Sequence, residues 1–212
     1  MKASNYKYLI AIIFIFFGEQ IAAEDRIVIN FESPPSLNQE AKLIQNIKNY
    51  NSVQSIENYL MQQNWIENFL IKSSFFGKFH QIFIQSKKPK YVWKDKFYID
   101  SQVSTFAYDG GYPDLIRLNM PLEYLTFWIK AENQYITLFN DLSLTIRSVG
   151  FQPAVGWYLI TSDALRVNLG DELSNDTYQK LSLTLKYMFE NNLTPSIIDL
   201  RYKAGAALNY GK

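Results

Sequence analysis

Residues Trp157 to Gly170 read WYLITSDALRVNLG. Trp157, Leu159 and Thr161 alternate before Ser162-Asp163, and Leu165, Val167 and Leu169 alternate after it, with Gly170 closing the run. A period of two on both sides of a polar turn is the pattern of a β-hairpin. Helical patterns flank it. Downstream, Asp176 opens a segment with Tyr178, Leu181, Leu185 and Met188 on one side, ended by Asn191-Asn192. Upstream, Tyr135, Leu138, Leu142 and Val149 predict a helix between Asn133 and Ser148. Strand pairs beside separate helices, without a βαβ alternation, place the chain in the α+β class.

Moving towards the N-terminus, FYIDSQ and STFAY read as strand pieces, and Asp109-Gly110-Gly111 as a loop. Arg26 to Phe31, RIVINF, is a β-branched run stopped by Ser33-Pro34-Pro35. Leu37, Ala41, Ile44 and Ile47 predict one face of a helix, and Ser52 can cap a second with Val53, Ile56 and Leu60 as its face. Two strands follow, Phe69 to Ser73 and Phe79 to Gln85, joined by a turn near Gly77, with a third short strand at Tyr91 to Trp93. In the Phe79 strand, His80, Ile82 and Ile84 face opposite to Phe79, Gln81, Phe83 and Gln85. The order is β-α-α-β-β, a module ending near residue 93. The final strand is expected to run unbroken from Ser196 to about Tyr210.

The very start has another character. Lys2 and Lys7 precede the apolar run Tyr8 to Phe17, and Glu24-Asp25 follow Ala23. That charge order exports everything after about residue 24. The run is short for a spanning helix and suits a cleavable signal peptide, with Ala23 at the cleavage site, so retention and cleavage both stand on these residues alone.

Composition removes most chemistries. Among 212 residues, 21 Lys+Arg face 20 Asp+Glu, giving a net charge of +1, with one His and no Cys. No broad positive field exists to capture nucleic acid. Thiolate metal sites, Cys nucleophiles and two-His sites are excluded. His80 has no partner motif, and Asp163, Asp171, Glu172 and Asp199 occupy turn, cap or strand positions. Gly110-Gly111 lacks the strand-to-helix setting of a phosphate loop, and Lys87-Lys88-Pro89-Lys90 reads as a solvated strand edge. Most enzyme chemistries are therefore disfavoured, and no metal or cofactor is expected. A carboxylate-based hydrolase stands only if two carboxyl groups face each other across a cleft at about 5 to 9.5 Å. The terminal stretch Asp199 to Ala207, DLRYKAGAA, puts small residues where bulky ones usually support a sheet. Small side chains leave a backbone open to a neighbouring strand, although a bulge or tight bend fits equally well.

Four stretches together resemble the FtsQ/DivIB family of bacterial cell-division proteins. Ser55 to Ser73, SIENYLMQQNWIENFLIKS, is similar to its helix, Pro-Trp-Val/Ile and strand, with Asn64 in place of the Pro. Lys87 to Asp100, KKPKYVWKDKFYID, resembles its Pro-Val-Ala-x-Trp segment and the following Leu-Ile-Asp, with Ser86 where a Glu is usual. Trp157 to Glu172 is similar to its Trp-x-Leu hairpin, and Ile198 to Tyr210, IDLRYKAGAALNY, to its closing strand.

The resemblance implies a cytoplasmic tail (1–6), an uncleaved signal-anchor (7–23) and a POTRA domain (26–93). A β domain with a curved sheet and packed helices (94–212) follows. It implies a non-enzymatic scaffold at the division septum of the inner membrane, with its C-terminal part periplasmic. The implied partners are FtsB and FtsL, bound by strand addition at the last β-strand, with further division proteins at the POTRA domain. Carried over residue by residue, the binding positions are Tyr202, Lys203, Ala204, Gly205 and Ala206. The alternative is a cleaved, soluble periplasmic POTRA-containing module.

Overall fold

The structure is a computed structural model that describes residues 26–74 and 79–211. The tail (1–6), the anchor (7–23), the cleavage site and the turn near Gly77 lie outside the described residues. Among the described residues no helix is long and apolar enough to cross a membrane. The chain divides into two compact units, one ending at Ser86 and the other beginning at Lys87, with Ser36–Gln39 counted with the second.

The first unit runs β1 (Arg26–Ser33), α1 (Leu37–Ile47), α2 (Val53–Met61), β2 (Ile66–Ser73) and β3 (Phe79–Ser86). Its sheet has the order β1-β3-β2. β1 lies parallel to β3 in the register Ile27↔His80, Ile29↔Ile82 and Phe31↔Ile84, and β2 is antiparallel to β3. The alternation in β3 is as its residues predict: His80, Ile82 and Ile84 are buried, their neighbours less so. Ser52 caps α2, its side chain accepting from the Ser55 N–H at 3.2 Å. α1 forms where its periodicity places it, but on a rotated face. Leu43 and Ile47 are buried whereas Leu37 is 83% exposed. Leu37 opens the helix and Ala41 removes little apolar surface from water, so burying Leu43 decides the rotation.

The second unit holds a sheet of nine strands. They are β4 (Pro89–Trp93), β5 (Phe97–Asp100), β6 (Thr105–Ala107), β7 (Ile116–Asn119), β8 (Ile146–Gln152), β9 (Gly156–Thr161), β10 (Arg166–Gly170), β11 (Ile197–Asp199) and β12 (Ala207–Asn209). Their order is β12-β11-β10-β9-β8-β7-β4-β5-β6. The strand at Tyr91–Trp93, expected to close the first module, pairs here with β5 and β7 instead. The boundary thus falls at residues 86/87 rather than 93. Buried Tyr91 shares a core with Ile99 and Leu118 of these neighbours, which explains the shift.

Two helices pack on this sheet, α3 (Leu125–Asp141) and α4 (Asn175–Glu190). Trp128, Tyr135 and Phe139 of α3 and Leu181, Leu185 and Met188 of α4 share one core with Val149, Leu159, Val167 and Ile198. The hairpin is β9–β10, antiparallel with Val167 opposite Leu159. The helix expected over Asn133–Ser148 is displaced. It starts at Leu125 and stops at Asp141, and Val149 belongs to β8, paired with Leu159.

Candidate functional site

The C-terminal ribbon is the stretch the sequence singles out, and its geometry differs from a single strand. β11 runs parallel to β10 on one side and antiparallel to β12 on the other. The chain leaves β11 at Asp199, crosses residues 200–206 without regular pairing, and folds back as β12. The expected unbroken strand from Ser196 to Tyr210 is thus two short strands and a loop. The outer edge of β11, where a partner strand was expected to dock, is covered by the chain's own β12, and β12 ends the sheet. Tyr202, Lys203, Ala204, Gly205 and Ala206 all lie in the intervening loop, and the first four are exposed.

Local chemistry explains the break. Asp199 accepts the Arg201 backbone N–H at 3.1 Å through Oδ1, an Asx-type turn. Its carboxylate also takes the Arg201 guanidinium, Nε to Oδ1 at 2.8 Å and Nη2 to Oδ2 at 2.5 Å. The Arg201 hydrogen bonds hold the Asp199 carboxyl below its usual range, against the opposing effect of partial burial. Gly205 sits at φ +81°, a left-handed conformation that L side chains rarely adopt, with no atom within 4 Å of where a Cβ would stand. Leu200 is buried and its N–H donates to Asn168 O at 2.9 Å, so the chain is anchored immediately before it swings out.

Helix α4 completes the site. Lys180 Nζ donates to the carbonyls of Leu200 at 3.1 Å and Tyr202 at 2.7 Å. Beyond it, a groove of about 580 Å³ runs between α4 and β12, lined by Lys180, Leu183, Tyr187, Gly205, Ala206 and Leu208. Leu183 is 68% exposed and Tyr187 57%, on the side of α4 opposite its buried Leu181–Leu185 face. These α4 residues escape a reading of the terminal strand alone. Their signal is two large apolar residues on the face that helical periodicity assigns to water.

The remaining candidates have structural roles. His80 is buried, with Nδ1 hydrogen-bonded to Ser73 Oγ at 2.8 Å. Lys90 of the basic knot pairs with Glu132, which also accepts the Tyr91 hydroxyl. Asp163 accepts the Thr161 hydroxyl at 2.5 Å within the β9–β10 turn.

No protein-family model matches the chain. Among characterised proteins it is similar to the cell division protein FtsQ of Aliivibrio fischeri, 19% identical over 166 residues, covering 74% of this chain and 62% of that protein. It is also similar to the cell division protein FtsQ of Vibrio cholerae, 24% identical over 139 residues, covering 61% and 51%. Both matches span less than two thirds of the relative's length. These relatives support the FtsQ family.

Each stretch that carries the FtsQ resemblance maps to defined elements. Ser55–Ser73 covers α2 and β2, and Lys87–Asp100 covers β4 and β5. Trp157–Glu172 is the β9–β10 hairpin, and Ile198–Tyr210 holds β11, the loop and β12. The FtsQ-like closing stretch is therefore the ribbon whose two halves pair with each other.

Proposed function

We propose that this chain is a bacterial cell-division scaffold that binds its partners and catalyses nothing. Its first unit acts as the POTRA domain of the resemblance, and its second is the partner-binding β domain. Residues 7–23 would retain it in the inner membrane, with the N-terminus cytoplasmic and both units periplasmic at the septum. Its partners in this reading are FtsB and FtsL.

The observation that carries the reading is the sheet end at β12 beside an apolar groove. An end strand presents main-chain groups to which a partner strand can add, and flanking pockets give that addition specificity. We place the added strand along β12, not along residues 199–206. Tyr202 to Ala206 form the rim, Tyr202 supplying an exposed aromatic and the small residues leaving room for the incoming backbone. Leu183 and Tyr187 then meet apolar side chains of the same partner.

The test is co-purification of an FtsB-like partner with Gly205→Trp and with Leu183→Glu/Tyr187→Ser. Leu183 and Tyr187 are exposed, so melting of their variant should be nearly unchanged while the complex is lost. Gly205→Trp also strains the backbone at φ +81° and should melt somewhat lower, so its loss of the complex counts only with the fold shown intact by circular dichroism. An intact complex with both variants overturns the β12 placement. Depletion should give filaments, and a tagged copy should sit at mid-cell. N-terminal sequencing of the mature protein that begins at Glu24 would favour the cleaved, soluble alternative.

A further inference from the structure

A second cleft, about 420 Å³, lies in the second unit between the start of α3 and the β10–α4 loop. One wall is aromatic and fixed in place. Tyr124 stacks on Phe151 with ring centroids 3.9 Å apart and planes 19° apart. It also meets Trp157 edge-on at 6.0 Å, and Trp157 is buried in the core. Phe127 continues the wall, 6.2 Å from Tyr124 and 58% exposed. A large ring held over a hollow keeps apolar surface in water that an occupant would cover.

The facing wall is acidic. Asp171 and Glu172 line the cleft, and among the described residues neither has an ion-pair partner within 4.0 Å. Lys130 also lines it, so the formal charge of the lining is two negative against one positive. A purely apolar occupant would strip water from two carboxylates without replacing it. An anion would meet net repulsion. A compact ammonium could pair with a carboxylate yet stack poorly. A guanidinium is planar, always charged and weakly hydrated, so it can lie on a ring while its edge donates to carboxylates.

We propose that this cleft receives an arginine side chain from an extended segment of a partner protein, separately from the β12 edge. The site lies on another face of the helical layer's elements: the start of α3 and the loop before α4, rather than the outer face of α4. Occupation of one does not require the other.

The test uses the full chain and a tri-arginine peptide blocked at both ends, followed by backbone amide NMR. Shifts should concentrate at Phe127, Asp171 and Glu172. Asp171→Asn/Glu172→Gln should weaken binding roughly tenfold, as loss of charge-assisted pairing requires. Phe127→Ser should weaken it about threefold, and a blocked tri-lysine peptide should bind more weakly than tri-arginine. Lys130→Gln should tighten binding by removing the like charge. All these side chains are exposed, and an unchanged amide fingerprint elsewhere certifies the fold. Absence of tri-arginine binding, insensitivity to loss of the carboxylates, equal binding of tri-lysine, or weaker binding by Lys130→Gln each overturns the proposal.

Discussion

Lys180 and Tyr202 are joined across the edge of the second unit: the ammonium of α4 donates to the Tyr202 carbonyl at 2.7 Å and to the Leu200 carbonyl at 3.1 Å. One cation thereby satisfies two loop carbonyls that no strand partner takes up. The contact sets where the rim of the candidate site stands relative to the groove. Replacing Lys180 with Met keeps the aliphatic stem and removes the donor. Two hydrogen bonds from a charged group matter mainly to loop order, so partner affinity should fall roughly tenfold while the melting temperature moves little. Titration calorimetry alongside thermal melts checks the split.

The Asp199–Arg201 pair makes the same loop sensitive to acid. The Arg201 hydrogen bonds lower the Asp199 carboxyl in the folded chain. Their contribution is complete above the carboxyl's unfolded value near 4 and is lost as pH falls through the depressed folded value. Asp199→Asn should flatten that part of the acid limb and leave stability at neutral pH nearly unchanged, since Arg201 is exposed and its pairing is screened. Melts from pH 7 down to about pH 2 show the difference, and parallel acid limbs for the two proteins would refute this account.

Gly150 lies beneath the ring of Tyr158 on the adjacent strand, the two being register partners in the β8–β9 pair. A Cβ at Gly150 would stand 2.2 Å from Tyr158 Cζ. The ring is held from another side by the Arg166 guanidinium, 4.2 Å from its centroid. Gly150→Ala should therefore destabilise by about 1–3 kcal/mol, the usual range for overpacking. Gly150→Ala/Tyr158→Leu should recover much of that loss. Chemical denaturation of both variants decides it.

Glu132 is a buried carboxylate on α3 served by Lys90 and by the Tyr91 hydroxyl. Burial, then the hydrogen bond and negative charge of Glu132, push the Tyr91 phenol well above its ordinary value. Glu132→Ala would leave the buried Tyr91 hydroxyl without its acceptor and should cost about 2–4 kcal/mol. Glu132→Gln keeps an acceptor and should cost less. If Ala and Gln unfold at the same denaturant concentration, the polar contact is not what stabilises this part of the core.

Much of the architecture is legible in single residues. The β9–β10 hairpin follows from strict alternation on both sides of Ser162-Asp163, and both α4 and its buried Leu181, Leu185 and Met188 follow from their spacing. Where two periods compete, the sequence misleads. Val149 continues a helical spacing from Tyr135, yet its side chain is buried in β8, because pairing with β7 and β9 outweighs a local pattern. At α1, neighbouring Leu43 and Ile44 make two faces nearly equivalent, and only tertiary packing selects one. The candidate site was half legible. Small residues at 204–207 mark an unusual ribbon, but they fit an exposed bend as well as an open strand. The Asp199 turn and the positive φ of Gly205 settle it as a bend.

The parallel pairing of β1 with β3 has a consequence for synthesis. β1 finds its hydrogen-bonding neighbour only in a segment that begins at Phe79, after both helices and β2 have been made. While the chain is being extruded, RIVINF waits with both flanks unpaired, and closing that long stretch is slow compared with winding a helix. The first unit thus completes its sheet late, and a chain arrested before Phe79 exposes a β-branched ribbon that can stick to others of its kind.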